Sequence, residues 1–160
     1  MAGTLSVQKI QGLASSATPT VVEVSNGHAL HTNTLKGTTT AGSINVQGEG
    51  TATTNLQQGL LKNWCKFDGT GTVAIDDSFN TTSLTDNSAG NYTITIANDM
   101  GNVNYSVSGS NVGSGGFFNA KFQSGGDAHT ATAYRFINRH ESVGDVDVDS
   151  MQTMVAGDLA

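Results

Sequence analysis

Five residues set the terms for this chain. From Tyr92 to Ile96 the sequence reads Tyr92-Thr93-Ile94-Thr95-Ile96, apolar and hydroxyl side chains in unbroken alternation. Successive side chains of an extended strand point to opposite faces, so Tyr92, Ile94 and Ile96 share one face and Thr93 and Thr95 the other. Such a strand needs a second layer over its apolar face and a neighbour for its backbone hydrogen bonds. Asp86-Asn87-Ser88-Ala89-Gly90 precedes it, a turn signal ending in glycine. The strand is therefore expected to lie antiparallel to one holding Leu84, with Ile94 in a core.

The same texture recurs over residues 63–160. Trp64-Cys65-Lys66-Phe67 reads as the start of a strand, and Thr72-Val73-Ala74-Ile75 as a strand ending at Asp76-Asp77. Asn104-Tyr105-Ser106-Val107-Ser108 alternates, Val112 to Gly116 reads as a loop, and Phe117-Phe118 with Phe122 open another β-region. Thr130 to Asn138 carries Tyr134 and Phe136, Val143 to Asp149 alternates Val with Asp, and Met151 to Val155 closes the series. Strands at roughly 10 to 12 residue spacing predict an all-β sandwich or jelly-roll-like domain.

Residues 1–52 differ. Their apolar pieces, Leu5-Ser6-Val7, Val21-Val22-Glu23-Val24 and Ile44-Asn45-Val46, are short, and glycines punctuate them. They read as an extended, β-rich stem whose strands pair between chains. Residues 53–62 form the one helical candidate, a linker capped by Thr53 or Thr54, with Leu56, Leu60 and Leu61 recurring along it. Leu, Ile, Val and Phe number 34 of 160 residues, whereas Gly, Thr, Ser and Asn number 70. That is a thin core for one chain of this length, and it points to help from other chains.

Composition excludes several functions. The net charge is −6, and Arg135 and Arg139 are the only arginines. Phosphate neutralisation needs clustered cations, so nucleic acid is not an expected partner. No apolar run reaches the roughly 18 to 20 residues of a membrane span, so no membrane insertion is expected. Met1-Ala2-Gly3-Thr4-Leu5 lacks the charged and apolar regions of a Sec-type signal, which implies synthesis in a cytoplasm.

Candidate chemistry is sparse. Cys65, the single cysteine, stands in a strand-like stretch and reads as structural, and no G-x-S-x-G elbow occurs. The catalytic residues expected are none. Asp145, Asp147 and Asp149 form D-x-D-x-D, which in a strand puts three carboxylates on one face about 7 Å apart. They read either as a solvated face backed by Val146 and Val148 or as a Ca²⁺ site. The EF-hand pattern fails, with Ser150 at its glycine and Ala156 at its final glutamate. The first reading is preferred, so no metal or other cofactor is expected. It also implies that neutralising all three aspartates leaves stability equal or slightly higher. His28 and His31 flank Ala29-Leu30 and read as surface side chains, though a threefold axis could gather copies of either. His129 and His140 show no ligand spacing, and the Asn80, Asn91 and Asn104 glycosylation sequons read as chance matches. Glycan binding is the one recognition activity the side chains support, with Trp64, Tyr105 and Tyr134 as its candidate aromatics and Tyr92 also available, although each of the four reads first as partly core.

The stretch from Trp64-Cys65-Lys66-Phe67-Asp68-Gly69-Thr70-Gly71 to Ile75, then Asp77-Ser78-Phe79-Asn80, then Leu84-Thr85-Asp86-Asn87 and Gly90-Asn91-Tyr92-Thr93-Ile94, resembles a module common in tailed bacteriophages. That module occurs in tail fibres and related virion proteins of marine and cyanobacterial phages. Its pattern is similar to W-x-x-F-x-G-T-G-x-V, D-S-F-N, T-D-N and G-x-Y-T-V in succession. Asn104-Tyr105-Ser106-Val107 and Gly157-Asp158-Leu159-Ala160 resemble its closing elements, so the likeness covers about residues 56–160. It implies a non-enzymatic homotrimer in the virion, in which a β-rich stem carries a β-domain head. Implied partners are further copies of the chain, other tail or capsid proteins and a host-surface glycan. The expected function is a short tail-fibre or adhesin subunit or fibre tip. The alternatives are a capsid head-decoration (cement) protein and a carbohydrate-binding module. A glycan depolymerase is disfavoured by the lack of a long solenoid and of a carboxylate pair.

Overall fold

The computed structural model describes residue 27 and residues 29–37, 44–47, 50–112 and 129–160, with residues 118–122 described by their backbone. The chain divides into two units, residues 1–36 and 37–160. In the first, residues 29–36 are exposed and Thr32 Oγ1 donates to the Thr34 carbonyl at 2.7 Å. The expected strands at Leu5 to Val7 and Val21 to Val24, His28 and the loop from Gly113 to Gly116 lie outside the described residues.

Among the described residues the second unit is all-β apart from one four-residue helix. Its strands are β1 (Asn45–Gln47), β2 (Thr53–Asn55), β3 (Leu61–Asp68), β4 (Ala74–Phe79), β5 (Thr81–Ser88), β6 (Asn91–Ile96), β7 (Ser106–Val112), β8 (Phe118–Phe122), β9 (Ala133–His140), β10 (Gly144–Asp145) and β11 (Ser150–Ala156). All pairings are antiparallel. One sheet runs β4-β3-β11-β7. In the other, β9 pairs with β6, β8 and β10, and β6 with β5.

The two sheets share one apolar core, a sandwich-like arrangement. Cys65 and Phe67 from β3 and Met151 and Val155 from β11 meet Tyr92, Ile94 and Ile96 from β6 and Tyr134 and Phe136 from β9. The Phe67 ring stands edge-on to Tyr92 at 5.1 Å and to Phe136 at 6.2 Å, bridging the sheets. Strand β6 alternates as its sequence requires, with Tyr92 and Ile94 at 0% exposure. Leu84 lies opposite Ile94. The turn after β5 is tighter than the pentapeptide suggested, because β5 runs to Ser88. Gly90 then takes φ +67°, and a Cβ there would lie 2.5 Å from both the Asn138 carbonyl and the Val146 nitrogen. Only glycine fits.

Several sequence expectations change. The linker helix is α1 (Leu56–Gly59) alone, capped by Asn55, whose side chain accepts from the Gln58 amide at 3.1 Å. Thr53 and Thr54 are strand residues, since β-branched side chains favour an extended backbone and β1 offers a partner. Leu60 is extended and Leu61 opens β3, so the leucines form no buried stripe. The piece Ile44 to Val46 finds a partner within its own chain, with Val46 opposite Thr54. Strand β4 passes through Asp76 and Asp77 to Phe79 instead of ending there. The alternation from Val143 to Asp149 yields only the two-residue β10.

Candidate interaction surface

Opposite residues of an antiparallel pair project from the same face. Trp64 lies opposite Phe79 on β4 and Met154 on β11, and Met154 opposite Ser108 on β7. These four form a row across the outer face of the four-stranded sheet, since their neighbours Cys65, Thr153 and Val155 point inward and are buried. Phe79 is 53% and Met154 45% exposed, and Trp64 is half-buried between them. The next row along the strands is polar: Asp77, Lys66, Gln152 and Ser110. Lys66 pairs with Asp76 at 2.5 Å, and this carboxylate raises the lysine's pKa. Exposed pairs of this kind add little stability. The outer face of β6 carries instead Asn91, Thr93 and Thr95, with Arg135 Nε donating to Asn91 Oδ1 at 2.9 Å.

Of the candidate glycan aromatics, this geometry leaves Trp64 at the surface. Tyr134 is 1% exposed, and its hydroxyl lies 2.7 Å from both Asn63 Oδ1 and Thr153 Oγ1. Burial pushes its pKa up, so it stays protonated as a core donor. Tyr105 is 9% exposed and directs its hydroxyl at the Thr130 and Ala133 carbonyls at 2.9 and 3.0 Å. Its ring stacks on His129 at 5.0 Å, and burial pushes its pKa up to about 12. Tyr92 is fully buried. None of the three tyrosines offers a free ring face to a sugar. Their burial has one physical cause: each hydroxyl finds a partner inside, so the ring can be enclosed without an unsatisfied polar atom.

The three aspartates diverge. Asp145 bonds Arg139 at 2.7 Å and Asp149 is exposed. Asp147 turns in, its Oδ1 accepting from the Gly90 amide at 2.6 Å and from the Tyr92 hydroxyl at 2.5 Å. Residues 146–149 leave the ladder after β10, so the strand geometry that would align the carboxylates is absent. Among the described residues no group of three or more His, Cys, Asp or Glu could hold a metal ion. Asp147 is therefore a structural acceptor rather than one of three solvated charges.

Cys65 is 1% exposed, and burial pushes its thiol up to about 11. A protonated thiol inside a core is not a nucleophile. His31 is exposed. Sequence reasoning missed Phe79 and Met154, which join Trp64 only through cross-strand register. It also missed Asn63 and Asn138, both at 0% exposure. Asn63 Nδ2 donates to the Asn80 carbonyl and to Thr81 Oγ1, each at 2.8 Å, and Asn138 Nδ2 to the Val146 carbonyl at 2.6 Å. Among the described residues no helix is long and apolar enough to cross a membrane. No protein-family model matches the chain, no curated protein matches it, and no solved structure matches it.

Proposed function

We propose that the chain is a non-enzymatic structural subunit of a tailed-bacteriophage virion, a homotrimer whose C-terminal head is a β-sandwich of jelly-roll-like character. The observation that carries this reading is the division of labour within the phage-like pattern. Phe67 and Tyr92 fill the core, and Gly69 packs so close to Met151 and Tyr92 that a Cβ would lie 2.1 Å from Met151 Cε. Gly90 makes the turn and Asn80, at φ +57°, the corner between β4 and β5. The pattern thus encodes a scaffold. Its two remaining aromatics, Trp64 and Phe79, are not consumed by that scaffold and stand together on the outer face. An exposed aromatic beside a half-buried one, held in register, suits contact with another surface.

The placement favoured is a short tail-fibre or adhesin subunit or a fibre tip, with other virion proteins and a host-surface glycan as partners. A capsid head-decoration protein is the alternative placement. A carbohydrate-binding module is a second reading, favoured by one observation: the exposed Phe79 and the half-buried Trp64 beside it border the polar Asp77, Lys66 and Gln152 row. Gold-labelled antibody against the purified protein, imaged on virions, tests the main reading. Label at the tail tip supports the fibre, label over the head supports decoration, and absence of label from intact particles contradicts both. A glycan array separates binder from scaffold: retention lost in Trp64→Ala would make recognition the function.

A further inference from the structure

We propose that the outer face of the four-stranded sheet takes an amine-bearing glycan, one pyranose lying on the Phe79–Trp64–Met154 strip with its ammonium group directed at the carboxylates beside it. The inference rests on the glycan-binding reading above and names the class of sugar. Phe79 and Met154 are exposed and Trp64 lies half-buried between them, so the strip is an apolar surface open to solvent. It runs across three neighbouring strands, with its side chains standing on one sheet face. Such a platform matches the flat C–H face of a pyranose, whereas protein partners anchor large side chains in pockets. Gln152 and Asp77 in the adjacent row supply hydrogen-bonding groups for the sugar hydroxyls. Leu61 and Val112 belong to other rows and remain for contacts between copies of the chain.

Charge selects the sugar. Two residues farther along the strands, about 7 Å away, Lys66 stands opposite Asp77 and pairs with Asp76. After Asp76, the carboxylates of Asp149 and Asp68 also raise the lysine's pKa, which places both near the same ammonium. The Thr70 hydroxyl and amide each donate to Asp68 Oδ1 at 2.7 Å and hold that carboxyl below its ordinary value. Four carboxylates thus surround one ammonium, a formal surplus of three negative charges beside the strip. That surplus is particular to this face. The outer face of the other sheet carries Arg135, and Arg139 paired with Asp145. A cation on the ligand gains from the aromatic rings and from the carboxylates together. A glycan bearing uronate or phosphate groups would meet like charge and be rejected.

Titration calorimetry of the full-length protein at about pH 6 and low salt, where a sugar amine is charged and screening is weak, tests the proposal. The probes are a glucosamine oligomer, the same oligomer N-acetylated, a galacturonate oligomer and oligolysine. The glucosamine oligomer should bind at least about tenfold tighter than its N-acetylated form, and the galacturonate oligomer should not bind. Trp64→Ala and Phe79→Ala should each weaken glucosamine binding at least about tenfold, Phe79→Ala with the wild-type melting temperature. Asp77→Asn should narrow the preference for the free amine. Glucosamine binding that is unchanged in Phe79→Ala and Trp64→Ala, or matched by oligolysine, is attraction to any polycation and overturns the proposal. If the acetylated or uronate oligomer binds as tightly and Phe79→Ala abolishes it, the amine preference fails while the glycan-binding reading stands. If no sugar oligomer binds, both fail.

Discussion

Ile94 carries the plainest energetic claim. It is wholly enclosed between the sheets, opposite Leu84 on β5 and Tyr134 on β9. Ile94→Ala should cost roughly 2 to 5 kcal/mol, lost transfer energy plus a cavity. Thr93→Ala and Thr95→Ala, on the outer face, should each cost less than about 0.5 kcal/mol. Denaturant unfolding of the three variants checks the assignment of faces, and an Ile94→Ala protein as stable as wild type would invert it. This part of the core was legible because alternation states which side chains share a face. It does not state what covers them, and the sequence could not say which of the aromatics read as partly core would stay exposed. Tyr105 and Tyr134 look alike in sequence to surface aromatics. Their burial depends on partners at residues 130–133 in one case and at Asn63 and Thr153 in the other. Trp64 was legible as a candidate, but Phe79 and Met154 became its neighbours only through strand pairing.

Elements made by neighbours in sequence were read well, and elements made by distant ones were not. The β5–β6 hairpin follows from a turn signal between two patterned segments, whereas β11 slots between β3 and β7, some 40 to 90 residues away along the chain. The helix was overread because leucine spacing ignores that β1 competes for Thr53 and Thr54. Residues 146–149 are the instructive failure. Their Val-Asp alternation suggests a strand, yet they form a strap from β10 to β11. The Gly69 amide donates to the Val148 carbonyl at 3.0 Å, the Val146 amide to the Asn138 carbonyl at 3.1 Å, and Asp147 accepts from the Gly90 amide and the Tyr92 hydroxyl. Burial and the Asp147 carboxylate together raise the Tyr92 pKa, so the phenol remains a donor. Asp147→Ala should cost about 1 to 3 kcal/mol by orphaning the buried Gly90 amide and weakening the Tyr92 anchor. Asp149→Ala should stay within about 0.5 kcal/mol of wild type. Thermal unfolding of the two variants distinguishes the strap from a solvated acidic face, on which the two losses would be equal.

At the scale of the whole molecule the claim is that one chain is not the functional unit. Few aliphatic and aromatic residues serve 160 positions, and some of those few stand outside: Phe79, Met154, Val112 and Leu61 on the four-stranded sheet, and Leu60 just before it. Apolar side chains spent on the surface of a chain this poor in them are accounted for if further copies cover them. The most direct measurement is the solution mass of the full-length protein by light scattering across a dilution series. The account predicts three times the 16.5 kDa chain mass, held down to low micromolar concentration, with dissociation accompanied by loss of structure. A folded, stable species of 16.5 kDa at micromolar concentration would contradict it.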